Sequence, residues 1–295
     1  MSKGDKAVEL FKTGLNCSQA VFCAFAEDFG MDFATAKKVS CGLGGGVGRM
    51  REVCGTVTGA AMALSMAVGE GDKMETYPIV QEFCEEFKRG NGSMVCRELL
   101  EGGGAGRNTR FPVEVGGQAA PRTAEYYKKR PCVELCRYSA DLVERLLKIE
   151  EVAKTLNNGG TAIIPTDTVY GLAAKDEAIA KLYEIKGRDP NKPIAYLVSD
   201  SSMLEGKAKE LADKYWPGAL TIVYKGEGYR MPDDFTALAI IKRCGGKLRV
   251  TSANKSGEPP ATDGWAGPSK GGTASTVVKV EGEEVKVLRE GPIKL

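Results

Sequence analysis

An α-helical, cysteine-rich N-terminal domain joined to an α/β C-terminal domain with a twisted open mixed sheet is the fold class this sequence predicts. Three observations predict it. Apolar residues recur at helical spacing through the first half, eight of the nine cysteines fall before residue 137, and short β-branched runs alternate with helical stretches through the second half. At 295 residues the chain is longer than most single domains, so two cores are expected, 1–147 and 148–295.

In the first half, Asn16 and Gln19 have capping-box spacing ahead of a helix expected over 17–29, with Val21, Phe22, Phe25 and Phe29 as its apolar contacts and Gly30 as its stop. Cys17 then sits in the first helical turn, where free amides and the helix dipole favour the thiolate. A second helix is expected from Asp32 to about Ser40. The tract Cys-Gly-Leu-Gly-Gly-Gly-Val-Gly at 41–48 matches neither the phosphate-loop nor the dinucleotide template. It reads as a loop whose backbone passes very close to something.

Cys54 opens an apolar helix expected over 56–68, and Arg49 and Arg51 beside it would further favour its thiolate. Cys84 lies in a helical stretch expected to end near Lys88, Cys96 follows a Gly-Asn-Gly turn, and residues 101–122 read as a connector. Cys132 and Cys136 are four apart on a helix and share a face. Any one of these thiols is most simply a small buried apolar side chain. As a set, Cys17, Cys41, Cys54, Cys96, Cys132 and Cys136 are candidates for redox chemistry or for a thiolate metal or Fe-S cluster.

The second half begins with a helix starting at Ala140 or Lys148 and ending at Leu156. A strand over 161–164 follows, expected to be buried and entered through the turn Asn157-Asn-Gly-Gly160. It presents Thr166, Asp167, Thr168 and Tyr170 before Gly171, where the chain is expected to bend. Helices are then expected over 176–186, 206–216 and 234–243, and strands over 194–198, 220–224, 248–251, 275–280 and 285–288. Ligands of open α/β sheets sit beyond the carboxyl ends of strands. Polar clusters fall there: Pro-Thr-Asp-Thr-Val-Tyr-Gly-Leu at 165–172, Lys-Gly-Arg-Asp-Pro-Asn-Lys at 186–192, and Thr-Ser-Ala-Asn-Lys-Ser-Gly at 251–257. The first and third read also as ordinary turns and the second as a solvated basic loop, but the three cations of the second, on a rigid Pro-containing backbone, suit a carboxylate or a phosphate chain, and three clusters on one sheet are harder to dismiss than one.

Composition narrows the function further. Lys plus Arg number 22 against 20 Asp plus Glu over 148–295, and 19 against 19 over 1–147, so a broad nucleic-acid-binding face is excluded and any RNA contact should be local and weak. The absence of histidine removes imidazole bases, Ser-His and Cys-His pairs and histidine-bearing metal sites. The first ten residues carry charges without an apolar core, and no apolar stretch approaches the roughly 20 residues of a membrane span. A cytoplasmic protein with no membrane partner is expected.

Two resemblances follow from these residues. Asn16-Cys-Ser-Gln-Ala-Val21, Gly-Gly-Gly-Val-Gly-Arg at 44–49, Cys54-Gly-Thr-Val-Thr-Gly59, Cys96 and Cys132 together resemble the C_GCAxxG_C_C family, named for redox activity. Val53-Cys54-Gly55-Thr56 stands where that family's name spells Gly-Cys-Ala, with the cysteine kept. In the second half the three polar clusters, with Trp216-Pro-Gly-Ala-Leu-Thr221 between the second and third, resemble the YrdC family in order and spacing. Arg230 with Pro232, Ser275-Thr-Val-Val278 and Leu288-Arg-Glu-Gly291 fit its later segments, whereas a Gly-rich loop over 262–272 stands where the family carries an additional helix and strand.

The second resemblance implies an L-threonylcarbamoyladenylate synthase, a nucleotidyltransferase that condenses L-threonine, bicarbonate and ATP with Mg²⁺. Its product serves threonylcarbamoyladenosine formation on tRNA through a separate tRNA threonylcarbamoyltransferase. By motif position, Thr166, Thr168 and Tyr170 would hold threonine, and Lys186 and Arg188 would face carboxylate, bicarbonate and phosphate oxygens, with Lys192 a further phosphate contact. Ser252 and Asn254 would orient the carbamate and nucleotide, and Arg230, Ser275 and Arg289 would lie at the ATP. The competing expectations are a nucleotide- or RNA-binding module without turnover, and a thiol redox or metal-thiolate protein centred on 1–147.

Overall fold

A computed structural model describes residues 1–102, 113–119, 121, 123, 126, 130–254 and 273–295. The chain divides into two compact units, Met1–Leu147 and Lys148–Leu295. Most of the connector expected over 101–122 and the whole loop expected over 262–272 lie outside the described residues. Among the described residues no helix is long and apolar enough to cross a membrane.

The first unit is helical: α1 (Lys3–Lys12), α2 (Cys17–Cys23), α3 (Phe33–Ser40), α4 (Gly55–Ala67), α5 (Lys73–Asn91), α6 (Cys96–Leu100) and the start of α7 (Cys132–Asn157). Short polar side chains set the helix starts by accepting orphan amides: Ser2 from Asp5, Asp32 from Thr35 and Asp72 from Met74. At α2 the capping box is complete, because Asn16 accepts from the Gln19 amide and the Gln19 side chain accepts from the Asn16 amide. The single helix expected over 17–29 is interrupted. Amides of Phe25 and Asp28 bond three residues back instead of four, so a 3₁₀ turn, Ala26–Phe29, carries the chain to left-handed Gly30. α5 runs beyond Lys88 to Asn91 because the stop is Gly92, at φ 81°. Phe11, Phe22, Phe25, Phe83 and Phe87 are fully buried in this unit, each contributing roughly 1.5–3 kcal/mol of burial.

The second unit is an eight-stranded sheet in the order β1-β2-β6-β3-β5-β4-β7-β8. Its strands are β1 (Ala162–Ile164), β2 (Gly171–Ala174), β3 (Tyr196–Val198), β4 (Leu220–Tyr224), β5 (Glu227–Arg230), β6 (Lys247–Ser252), β7 (Thr276–Glu281) and β8 (Glu284–Arg289). β3–β5 and β4–β7 are parallel and the other neighbours antiparallel. Helices α8 (Ile179–Lys186), α9 (Gly206–Tyr215) and α10 (Phe235–Arg243) connect the strands.

Strand alternation assigns the faces. Leu220 and Ile222 of β4 and Val278 and Val280 of β7 pack against Ala208 and Ala212 of α9, while Leu172 and Ala174 of β2 pack against Ala178 and Leu182. The intervening residues, Thr221, Val223 and Val277, turn to the other face, where they line a cleft.

Three expectations are corrected. β1 is an edge strand, so only Ile164 of it is buried and Ile163 is 39% exposed. Gly171 does not bend the chain; it opens β2 opposite Ile164, and Val250 occupies the space a side chain would need there. β5 was not expected, because its charged, Gly-containing sequence conceals a hairpin. Lys225 and Gly226 both take positive φ, 49° and 87°, giving a two-residue turn between β4 and β5 that matches strand twist.

Candidate active-site cleft

Eight of the residues singled out in the second half line one cleft of about 600 Å³: Thr166, Thr168, Tyr170, Arg188, Arg230, Ser252, Ser275 and Arg289. The cleft does not lie beyond the strand ends. Its floor is the sheet face opposite α8 and α9, built from alternate residues such as Thr221 and Val223, Gly228 and Arg230, and Val250 and Ser252. The packing of these two helices against the other face leaves this stretch of the sheet to take a ligand.

The segment between β1 and β2 is locked by its own hydroxyls. Thr166 Oγ1 donates to the Val169 carbonyl at 2.7 Å and accepts from the Thr168 amide at 3.1 Å, and the Ala253 amide donates to the Tyr170 carbonyl at 2.8 Å. Arg230, at the end of β5, donates from Nη1 to Thr168 Oγ1 at 3.0 Å. Its other nitrogen, Nη2, lies 3.2 Å from Asp167 Oδ1, an ionic contact without hydrogen-bond geometry that leaves this buried oxygen without a hydrogen-bond partner among the described residues. Burial lowers the Arg230 pKa; the Asp167 charge opposes that shift and nearby Arg289 adds to it.

Across the cleft, Arg289 donates to the Ser275 carbonyl from Nε at 3.1 Å and from Nη2 at 2.7 Å, and Ser275 shares a 2.8 Å hydroxyl contact with Thr221. Arg188 is pinned by its own loop, donating to the carbonyls of Lys192 and Pro193, both at 3.1 Å. Lys186 sits behind the lining. Its ammonium donates to the Ser252 and Asn254 carbonyls at 2.6 and 2.7 Å and to Asn254 Oδ1 at 3.1 Å, with Ser252 Oγ 3.5 Å away. Burial, then the Arg188 charge, lowers its pKa. Asn254 is reached through that contact, and Lys192 is exposed; neither lines the cleft.

Sequence reasoning gave no role to two residues the structure brings into this network, Asp167 and Thr221. Both lay inside quoted motifs, and period-2 alternation along β4 was the available signal for Thr221. Chemically, guanidiniums and hydroxyls without a carboxylate among the cleft residues suit a small polyanion. A divalent cation would therefore arrive on the anion's own phosphates. Lys255, Ser256 and Gly257 of the third cluster lie outside the described residues.

In the first unit the structure gathers three of the candidate thiols. Cys17 opens α2, Cys54 caps α4 and Cys96 opens α6, with exposures of 9%, 5% and 8%. The expectation of a thiolate-favouring Cys54 is corrected. Burial pushes its pKa well above the ordinary thiol value and the neighbouring Cys17 and Cys96 add to the shift, so desolvation outweighs the helix start. Cys96 is raised by burial and by Cys17, against the opposing Arg51 guanidinium. Cys41 is exposed, Cys132 half-buried and Cys136 buried. Among the described residues no group of three or more His, Cys, Asp or Glu is arranged to hold a metal ion.

A family model described as "Putative redox-active protein (C_GCAxxG_C_C)" matches residues 15–146, and the Sua5/YciO/YrdC model, described as telomere recombination, matches residues 154–291. The chain is similar to the "Threonylcarbamoyl-AMP synthase" of Bacillus subtilis, 32% identical over 53% of this chain and 58% of that protein. It is also similar to the "Putative threonylcarbamoyl-AMP synthase" of Mycobacterium tuberculosis, 32% identical over 52% of this chain and 88% of that one, and to that of Methanocaldococcus jannaschii, 32% identical over 54% and 92%. The chain thus spans little more than half the length of the Bacillus relative. A solved structure of P. abyssi Sua5 complexed with L-threonine is 28% identical, over 49% of this chain and 54% of that chain, with a TM-score of 0.45.

Proposed function

The chain belongs to the threonylcarbamoyl-AMP synthase family, and on that premise we propose that it comprises domains 1–147 and 148–295, the second of which makes L-threonylcarbamoyladenylate. The observation that carries this reading is the single cleft in which Thr166, Thr168, Ser252 and Ser275 stand with Arg188, Arg230 and Arg289. The amine of L-threonine, having lost a proton, attacks the carbon of bicarbonate and water leaves, giving a carbamate. A carbamate oxygen then attacks the α-phosphorus of ATP, and the bond to pyrophosphate breaks. Both steps concentrate negative charge, so positioning and cationic stabilisation supply the catalysis and no imidazole is required.

Thr166, Thr168 and Tyr170 hold threonine, and Arg188 and Arg230 face the carbamate and phosphate oxygens. Ser275 and Arg289 take the nucleotide, with Lys192 as a phosphate contact from the loop edge and Mg²⁺ entering as part of the ATP substrate. Lys186 fixes the turn that carries Ser252 and Asn254. The adenylate passes to a separate tRNA threonylcarbamoyltransferase, in the cytoplasm.

The test is pyrophosphate release by the purified full chain with ATP and Mg²⁺. Release that requires both threonine and bicarbonate is expected. ATP binding without such turnover would sink this reading and favour the binding module. Lys186→Ala should lower the rate by about 10²-fold, because the turn that positions Ser252 and Asn254 is no longer held in place.

A further inference from the structure

We propose that Thr166 is a positioning residue which, by accepting the hydroxyl proton of Thr168, turns Thr168 into a pure acceptor that holds the amino group of the substrate beside Arg230. This rests on the synthase reading, and it adds to that reading the direction of the hydroxyl protons in the threonine subsite.

The argument is a proton count. A hydroxyl has one proton and two lone pairs, and a guanidinium donates only. Thr166 Oγ1 lies 2.7 Å from the Val169 carbonyl oxygen, which accepts only, so the Thr166 proton is spent there. The 3.1 Å contact between Thr166 Oγ1 and Thr168 Oγ1 must then be donated by Thr168. The Thr168 amide donates to the same oxygen at 3.1 Å. Both lone pairs of Thr166 are thereby taken, and the residue is 1% exposed. Thr166 therefore acts on a ligand through Thr168.

Thr168 Oγ1 spends its proton on Thr166 and one lone pair on Arg230 Nη1, 3.0 Å away. One lone pair is left, on a residue that lines the cleft. The chain from guanidinium to Thr168 to Thr166 to the Val169 carbonyl runs in one direction, and each donor in such a chain strengthens the next. Asp167, which is not part of the lining, stands 3.2 Å from the other guanidinium nitrogen and holds the head of the chain.

A lone pair with no proton to offer repels carboxylate, bicarbonate and phosphate oxygens, and takes an N–H or an O–H. Threonine brings two such donors, its amine and its hydroxyl. The amine is the one that must stand next to bicarbonate, because the new N–C bond forms between them, and Arg230, the neighbour of Thr168, is the group that faces that anion. A neutral acceptor also suits a nucleophile. A carboxylate in this place would pin the amine as ammonium, and none lines the cleft.

The experiment titrates the full chain with L-threonine, with (R)-3-hydroxybutyrate, which lacks the amine, and with ATP, by ligand-observed NMR. Thr168→Val should weaken L-threonine by about 10-fold, the worth of one hydrogen bond, and leave hydroxybutyrate unchanged. Thr166→Val releases the Thr168 proton and should weaken L-threonine by about 3-fold, since a hydroxyl free to rotate is no longer a fixed acceptor. Thr166→Ser should restore it, and ATP affinity should stay constant throughout. Circular dichroism checks each fold, and Thr166→Ala replaces Thr166→Val if the latter is unfolded. Equal losses of both ligands in Thr168→Val would move the contact away from the amine and overturn the proposal, as would wild-type affinity for L-threonine in Thr166→Val. Wild-type protein that binds ATP but not L-threonine would sink the synthase reading itself, and this proposal with it.

Discussion

The cysteine-rich unit and the synthase-like unit bury reactive side chains by opposite means. In the first, backbone does the enclosing: Gly55 presses on Cys17, the Cβ position of Gly46 is 2.7 Å from Cys96 Cβ, and the glycine tract directs an amide at sulfur. In the second, side chains and carbonyls compensate charge: Arg230 is held by Asp167 and Thr168, and Lys186 by the oxygens of Ser252 and Asn254. The difference follows from proton chemistry. A thiol survives desolvation by staying neutral, so it can be packed against glycine without a compensating charge. A guanidinium cannot give up its proton at any ordinary pH, so its burial requires an anion or acceptors on every side.

The comparison breaks most visibly at Arg230. Arg230→Ala leaves Asp167 buried without its cation, and removing one partner of a buried pair costs about 3–5 kcal/mol. Urea denaturation should show that loss, and Arg230→Lys should restore only part of it, because an ammonium cannot reach Thr168 and Asp167 with two separate nitrogens.

A smaller effect is expected from the backbone-enclosed unit. Gly55→Ala puts a methyl group into the space of Cys17 Sγ, and overpacking of this kind costs typically 1–3 kcal/mol. The urea midpoint of the first unit should fall, and alkylation of Cys17 should quicken as its sulfur is displaced. An unchanged midpoint would show that glycine is not needed at that contact.

The smallest effect tests an exposed charge cluster in the second unit. Burial tends to raise the Asp176 pKa, but hydrogen bonds from Tyr196, Arg249 and Lys247 outweigh it and bring it to about 2. A carboxyl held below its ordinary value of 3.8 adds stability above that pH, which is lost as pH falls towards about 2. Asp176→Asn should flatten this part of the stability–pH curve by removing the contribution at neutral pH, a small loss because the carboxylate is 45% exposed and solvent screens it, and should leave stability near pH 2 unchanged.

What the sequence determined by itself is local. Asn16 and Gln19 announce the start of α2, Gly30 stops its segment, and β-branched alternation marks β4 and β7, because caps, left-handed stops and face alternation depend on residues a few positions apart. The polar motifs of the second half were legible for the same reason, and eight of their residues share one cleft. The tertiary structure decided which face the cleft occupies, that Gly171 begins a strand, that Lys186 stands behind Ser252 instead of beside it, and that Cys54 is held as a thiol. Each of these rests on desolvation or on partners far along the chain, such as Arg230 reaching Thr168 across 62 residues. Spacing within a motif carries no information about such partners.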